Sequence, residues 1–389
     1  MAAAAAVSSV DESVKALGDS FDGIPVIDVG AWLKKDGAEV DAETIATECA
    51  KAAASLRKYG CVFARDPRVD SKDNDRFLDT LEKYFETPED ARMKDTHPEL
   101  SYQVGATPAF TELPRNHCDR MKAYKDTDKP LSECPPEKDC KWRFFWRIGE
   151  RPAETKFGEL NAAPVVPEGI PEWTDVMNTW GGKLLGCVTC VAQMAARGFG
   201  LEDDAFSSRM DMGPHLLAPT ATDLKRFGKE GTVCAGYHRD LNFLTIHGKS
   251  RFPGLYVWTR EGKKLAVRVP EGCLLVQAGI QAEYITAGHV MAGYHEVVVT
   301  PQTLEAVERA TAAGRSIWRI SSTLFSHMAS DGMLEPIGKF ASEEAAKDYP
   351  PVLVGGPGQG RARGNQPQGR RSAARRRGVS ARATRTPGS

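Results

Sequence analysis

Gly236-Tyr237-His238-Arg239-Asp240-Leu241-Asn242-Phe243-Leu244-Thr245-Ile246-His247 is the stretch on which the reading of this 389-residue chain turns. Its centre is His238-Arg239-Asp240, with an apolar run on each side. On a β-strand, residues i and i+2 point to the same face. The His238 imidazole and the Asp240 carboxylate therefore reach one point in space without bending the backbone. A neutral nitrogen beside a hard oxygen suits a divalent first-row metal, and a second His from elsewhere completes a two-His-one-carboxylate set with open positions.

Outward from this stretch, the composition is that of a soluble globular protein, 26% charged and 41% hydrophobic. The formal net charge of −1 conceals an asymmetry. Residues 355–389 carry nine Arg and no acid, which leaves −10 on the rest of the chain. An acidic body argues against a nucleic-acid surface. The nine Cys, an odd number, are scattered from Cys49 to Cys273 without the spacing of a secreted disulfide framework. A reducing compartment and a cytoplasmic location are expected. Cys187-x-x-Cys190 is the one close pair of that type, and it lies in an apolar helical run with no second pair to complete a zinc site. Buried structural thiols are expected there. The apolar start Met1–Val7 has no basic flank, and no run approaches the length of a membrane span.

In chain order, residues 1–22 read as a disordered leader. Ile24-Pro-Val-Ile-Asp28-Val29 reads as a strand, Asp41–Lys58 as a helix capped by Asp41, Gly60–Ala64 as a strand, and Asp73–Phe85 as a helix. No period persists over 95–170. The aromatic run Lys141–Arg147 reads as a core strand with Arg stems covering it, rather than as a pocket wall. Pro171–Arg197 is the longest helix, with Met177, Trp180, Leu184, Val188, Val191 and Ala195 on one stripe, ended by Gly198 and Gly200. From His215 to Ser326 the texture turns to short strands, near 233–238, 242–247, 254–258, 265–269, 273–277, 283–286, 294–299 and 317–325. A helix at 302–313 interrupts the last two. Strands at this spacing with turn residues between them make a sandwich, barrel or jelly roll. After Pro351 the chain becomes Gly, Arg, Pro, Gln and Ser, a disordered Arg-rich tail over 355–389.

The order of motifs adds a resemblance. His238-Arg-Asp240, Leu244-Thr245, Gly254-Leu-Tyr-Val257, Pro270-Glu-Gly272, Ala278-Gly279, Ile285-Thr-Ala-Gly288, His295 and Arg319-Ile-Ser321 follow one another. In that order they resemble the isopenicillin N synthase-like branch of the Fe(II)/2-oxoglutarate-dependent dioxygenases. Ile24–Asp28 and Tyr59–Phe63 look like that branch's N-terminal region, so the likeness covers roughly residues 23–345.

The resemblance implies a mainly β fold with flanking helices: a double-stranded β-helix (jelly roll) core over 211–345, braced by an N-terminal α/β region over 23–210. It implies Fe(II) held by His238, Asp240 and His295, with O₂ and 2-oxoglutarate as co-substrates. Arg319 and Ser321 would hold the distal carboxylate of 2-oxoglutarate, for which a planar guanidinium beside a hydroxyl supplies directional bonds. Such an enzyme oxidises, usually hydroxylates, a small-molecule substrate and releases succinate and CO₂. No membrane or nucleic-acid partner is expected, and the chain reads as a monomer. Two other readings share these residues: an isopenicillin N synthase-type iron oxidase that does not use 2-oxoglutarate, and a catalytically silent jelly-roll binding protein. Rival His residues are set aside. His247 lies nine after His238, so on a continuous strand it faces the other side, and His289 follows Gly288 in an apparently exposed turn. Four departures from the family pattern stand out, the first being Gly279-Ile280 where the family has Gly-Asp. Glu296 occupies the usual Arg position after the distal His, the stretch His215–Pro219 lacks the usual Tyr, and 24 residues separate His295 from Arg319.

Overall fold

The computed structural model describes residues 20–21, 23–37 and 40–356. Most of the 1–22 leader and residues 357–389 of the Arg-rich tail lie outside the described residues. Residues Ser20–Phe21 of that leader form a strand, β1, antiparallel to β2 (Ile24–Asp28). Helix Ala42–Tyr59 then crosses to β3 (Cys61–Arg65), which runs parallel to β2. The predicted cap is present, with Asp41 accepting a 2.7 Å bond from the Thr44 amide. Helix Ser71–Phe85 follows and buries Phe77, Leu78, Leu81, Tyr84 and Phe85.

The remaining strands are β4 (Gly105–Thr107), β5 (Trp142–Ile148), β6 (His215–Leu217), β7 (Thr220–Asp223), β8 (Val233–Arg239), β9 (Leu244–His247), β10 (Leu255–Trp258), β11 (Lys264–Ala266), β12 (Cys273–Ala278), β13 (Tyr294–Val298), β14 (Trp318–Ile320) and β15 (Thr323–Ser326), with a separate short pair, β16 (Met333–Leu334) and β17 (Val352–Leu353). They form two principal sheets. The large one runs β1-β2-β3-β12-β9-β15-β6-β5-β7-β14, with β4 beside β5; the small one runs β11-β10-β13-β8. From β8 onward the chain passes repeatedly from one sheet to the other. The N-terminal strands are continuous with the large sheet, since β3 pairs with β12 from Cys61 to Arg65.

The long helix Trp173–Gly198 braces the outer face of the large sheet. Its predicted stripe is buried, Met177, Leu184, Val188 and Val191 completely. It packs against Leu244, Ile246, Val276, Leu217 and Leu324 of the sheet. Side chains of this size each contribute about 1.5–3 kcal/mol on burial. Gly198 serves packing as well as termination, for a Cβ there would sit 2.1 Å from the Cys49 carbonyl oxygen of helix Ala42–Tyr59.

Two predicted strands differ. The segment expected at 283–286 belongs to a helix, Ile280–Ile285. A short apolar run does not distinguish a buried strand from a buried helical turn. Here tertiary contacts decide, because the helix delivers the buried Glu283 to Arg239 and to the Ala292 amide. The single strand expected at 317–325 divides into β14 and β15. Ser321 and Ser322 bond different neighbours, the Thr220 carbonyl and the Gly248 amide. The aromatic run is a core strand, with Phe144 and Trp146 edge-on to Trp173. Its arginines are not surface stems. Arg143 bonds Tyr102 O and Thr107 within the structure, and Arg147 bonds Gly213 O, Glu150 O and Asn161.

Candidate metal centre

His238 and His295 are cross-strand partners. The antiparallel β8–β13 ladder sets them directly opposite each other, where Cβ atoms lie ~4.5–5.5 Å apart. Their ring centroids are 4.2 Å apart. Asp240 follows the end of β8 on the same side as His238. Its Oδ1 lies 3.5 Å from His238 Nε2 and 3.7 Å from His295 Nε2. The three ligand atoms lie within 4.8 Å of one another, the one group of this kind among the described residues.

Backbone and neighbouring groups aim these side chains. His238 Nδ1 is 2.6 Å from the Gly236 carbonyl and His295 Nδ1 is 3.5 Å from that of Gly293. Both rings thereby turn Nε2 toward Asp240, the arrangement that fixes tautomer and orientation in a metal ligand. Thr245 donates a 2.6 Å bond to Asp240 Oδ2, leaving Oδ1 facing the two imidazoles. Burial acts to raise the Asp240 carboxyl. The charge of His295 and bonds from His238 and Thr245 outweigh it, and hold the group well below the usual carboxylate range. Burial, followed by the neighbouring His238, pushes His295 down to about 3. His238 shifts upward: burial opposes this, but the Asp240 bond and charge outweigh it. An anionic carboxylate and a neutral imidazole are the forms that bind a cation.

Arg319 and Ser321 stand apart from this group. On β14 and β15, Trp318, Ile320 and Leu324 face the helix-covered core. The alternate residues Arg319, Thr323 and Phe325 face the interior between the sheets. Arg319 is buried and has no carboxylate partner among the described residues. Its Nε donates to the Pro253 carbonyl at 3.3 Å. It lies beside Cys234, four residues before His238 on β8. The Ser321 hydroxyl accepts from the amide and hydroxyl of Thr220 at 2.9 and 3.0 Å, which leaves its own proton to donate.

The rival histidines differ from expectation. The β8 strand stops at Arg239 and β9 starts afresh at Leu244 in the other sheet, so parity counted from His238 does not carry across. Leu244 and Ile246 face the core, and Thr245 and His247 face the interior. The His247 ring centre is 6.5 Å from that of His295. Its Nδ1 lies 3.1 Å from Thr323 Oγ1, and the Gln277 side chain bonds the same imidazole. Burial pushes its pKa down to about 4. His289 is half-buried rather than exposed, its ring centre 5.5 Å from Phe199 and 5.1 Å from Phe340.

The departure at Glu296 has a structural explanation. This fully buried carboxylate accepts from the Leu131 and Ser132 amides and the Ser132 hydroxyl, and pairs with Lys264 at 2.9 Å. It thereby fastens segment 118–134 across the outer face of the small sheet, where Met121 and Tyr124 cover Tyr237, Trp258 and Tyr294. A Cys118–Cys134 disulfide closes that segment. Spacing alone did not reveal this bond, because the segment has no period and its ends meet only when it is laid over the sheet. Cys187 and Cys190 are buried free thiols, as expected. A charged cluster that the sequence reading did not single out, largely buried, lies near His238. Glu112 pairs with Arg143 and, at 3.0 Å, with Lys141, which also contacts Asp139. Burial acts to raise the Glu112 carboxyl, but Arg143 and Lys141 outweigh it and bring it down to about 2.

Two observations, the two-sheet scaffold and the His-Asp-His group at its small sheet, mark the class of fold. A 2OG-Fe(II) oxygenase family protein of Caulobacter crescentus superposes with a TM-score of 0.65 at 22% identity, over 85% of this chain and 95% of that one. A full-length Neurospora crassa protein solved with alpha-KG and thymine gives 0.64 at 20% identity, over 85% and 94%. The rice dioxygenase for auxin oxidation gives 0.58 at 16%, over 85% and 92%. No family model and no curated protein sequence matches the chain. At these identities the likeness is one of fold, and the chain shares that fold with 2-oxoglutarate-dependent iron oxygenases.

Proposed function

We propose that this chain is an Fe(II)- and 2-oxoglutarate-dependent dioxygenase that hydroxylates a small-molecule substrate and releases succinate and CO₂. The observation that carries the reading is the His238–Asp240–His295 group, half-buried at His238 and buried at the other two, whose Nε2 and Oδ1 atoms converge. The two sheets fit a double-stranded β-helix, with the catalytic core in 211–345 and the 23–210 region bracing it. The donor set fits Fe(II): two imidazole nitrogens and one carboxylate leave open positions. Bound there, Fe(II) supplies O₂ activation coupled to oxidative decarboxylation of 2-oxoglutarate.

The chain's own residues bind, orient and exclude water. His238, Asp240 and His295 hold the metal, and Gly236 O, Gly293 O and Thr245 fix their orientation. Arg319, buried without an acid, supplies the charge that the distal carboxylate of a dicarboxylate needs, and the free proton of Ser321 supplies a second bond. A buried guanidinium with no counter-charge is costly, and an anionic co-substrate offsets that cost. Small-molecule substrates are consistent with the fold, since thymine occupies the N. crassa structure. A monomer completes the reading; the Cys118–Cys134 disulfide stands against the cytoplasmic location expected from the cysteine spacing, and among the described residues no helix is long and apolar enough to cross a membrane.

Anaerobic titration with Fe(II) and then 2-oxoglutarate tests the proposal. A metal-to-ligand charge-transfer band should appear, and should vanish in Asp240→Ala. Succinate should form on admitting O₂. Fe(II) binding with no band and no succinate would remove the 2-oxoglutarate reading and leave the oxidase that draws its electrons from the substrate alone.

A further inference from the structure

The interior face of the large sheet extends past the metal group on the side away from Arg319. Strand register sets Thr245 of β9 opposite Phe325 of β15, Phe325 opposite Leu216 of β6, and Leu216 opposite Arg147 of β5. Thr245 bonds Asp240, so this line of side chains stands at the height of the metal group. Arg319 and Thr323 come before Phe325 in the chain and lie to one side of that line. His327 lies to the other. Leu324 and Met328 are in the helix-covered core, and the alternation puts His327 with Phe325 on the interior face. With 2-oxoglutarate on the Arg319 side, the side of Phe325 and His327 is left for the substrate.

His327 is held in a defined orientation. Its amide donates to His215 Nδ1 at 3.1 Å, and its own Nδ1 lies 3.2 Å from Phe325 O. A carbonyl oxygen only accepts, so Nδ1 carries the proton of the neutral ring and Nε2 keeps a lone pair. Burial pushes the ring's pKa down to about 4, the Phe325 carbonyl acting against it and the Arg147 charge with it. Nε2 makes no hydrogen bond among the described residues and keeps accessible surface. His238, Phe325 and His327 face the interior yet are each half-buried, so an opening reaches the metal group along them. Its floor is apolar: the Phe325 ring packs against Leu216 and edge-on to Phe145 at 6.2 Å. Arg147, at the end of that line, directs its terminal nitrogens to Gly213 O, Glu150 O and Asn161 Oδ1, and only its buried Nε is unpartnered.

We propose that His327 selects the substrate, accepting at Nε2 a hydrogen bond from an O–H or N–H of a neutral molecule whose apolar body lies on Phe325. This rests on the 2-oxoglutarate reading above, which leaves this side of the metal group to the substrate. A lone pair at a fixed point beside an apolar floor sets how such a molecule lies, and hence which carbon it presents to the metal site. A molecule of the same shape without the donor leaves Nε2 unpaired on being covered, which costs affinity.

The test measures binding without turnover. Protein loaded with Zn(II) and 2-oxoglutarate is titrated by NMR with probes that differ in one group: p-cresol against its methyl ether, indole against N-methylindole, and p-toluate as the anion. The donor of each pair should bind about two- to tenfold more tightly, the value of one neutral hydrogen bond. His327→Leu should abolish both preferences, and His327→Gln, whose Oε1 also accepts, should keep them, with Zn(II) and 2-oxoglutarate affinities unchanged in both. Ring-nitrogen NMR of histidine-labelled protein, with His327 assigned by its loss in His327→Gln, should place the proton on Nδ1. Equal binding within each pair by the wild type overturns the inference, as does binding of no probe at all. Tighter binding of p-toluate than of p-cresol overturns it in favour of an anion drawn by Arg147. Preferences that survive in a folded His327→Leu protein assign them to another residue and overturn it too. If His327→Leu fails to fold, the ring proton decides, and its presence on Nε2 overturns the inference. If wild-type protein binds Zn(II) but no 2-oxoglutarate, the parent reading fails and takes this inference with it, an outcome that titration with 2-oxoglutarate alone tells apart from the others.

Discussion

Arg319→Leu separates a ligand anchor from a structural arginine, because the two roles predict opposite effects on the empty protein. Arg319 is 5% exposed, and its only hydrogen bond among the described residues is the 3.3 Å contact from Nε to Pro253 O. It has no ion pair to lose. Replacing an uncompensated buried charge by an apolar side chain removes its desolvation cost. The ligand-free variant should therefore unfold at the wild-type temperature or above it. Two charge-assisted bonds to a carboxylate are worth about 1.5–3 kcal/mol each, so 2-oxoglutarate affinity should fall about 10²- to 10⁴-fold. Thermal unfolding of Mn(II)-loaded protein with and without 2-oxoglutarate reads both effects at once. The wild type should gain several degrees from the ligand, and the variant should gain nothing while retaining Mn(II). A variant that melts well below wild type yet keeps its full shift with 2-oxoglutarate would refute the anchor role.

Three further outcomes follow from the same structure. Thr245→Val keeps shape but removes the 2.6 Å bond that holds Asp240 Oδ2; it should weaken Mn(II) or Fe(II) binding about 10–100-fold, read by metal titration, with little change in far-UV dichroism. Gly198→Ala and Gly182→Ala form a matched pair on one helix. The first drives a Cβ to 2.1 Å from Cys49 O and should cost about 1–3 kcal/mol, whereas the second enters open space and should add up to ~1 kcal/mol, both read by urea unfolding. Glu112 is held down at about 2, so its contribution to stability is complete above its unfolded value near 4.5 and is lost as pH falls toward 2. Glu112→Gln should flatten the acid limb of the stability curve by at most about 3 kcal/mol between those values; an unchanged slope would show the pairing to be energetically silent.

Much of the site was legible because its signals are local. His238-x-Asp240 is a period-2 pattern on a strand, and the Ala-rich and apolar-striped helices announce themselves by period and cap. These features depend on neighbours within about one turn or one pleat, and composition and spacing report those directly. The elements misread were short. Ile280–Ile285 carries too few residues for a period to choose between helix and strand, and the bonds of Glu283 to Arg239 and Ala292 made the choice.

Sequence by itself determined the ligand types and their order along the chain: His238, Asp240, then a distal His and an Arg-x-Ser pair. The motif order also named His295 as the distal His; what only the tertiary structure decided is how it reaches the other two, by setting it opposite His238 in the β8–β13 register. Only the structure turned His247 inward, by ending one strand at Arg239 and beginning another in a different sheet. It also made Glu296 the clasp of the disulfide-closed segment over the small sheet. The physical reason is common to all three. Facing and pairing are set by which strands lie side by side, and that is decided by burial summed over the whole molecule rather than by any one stretch of it.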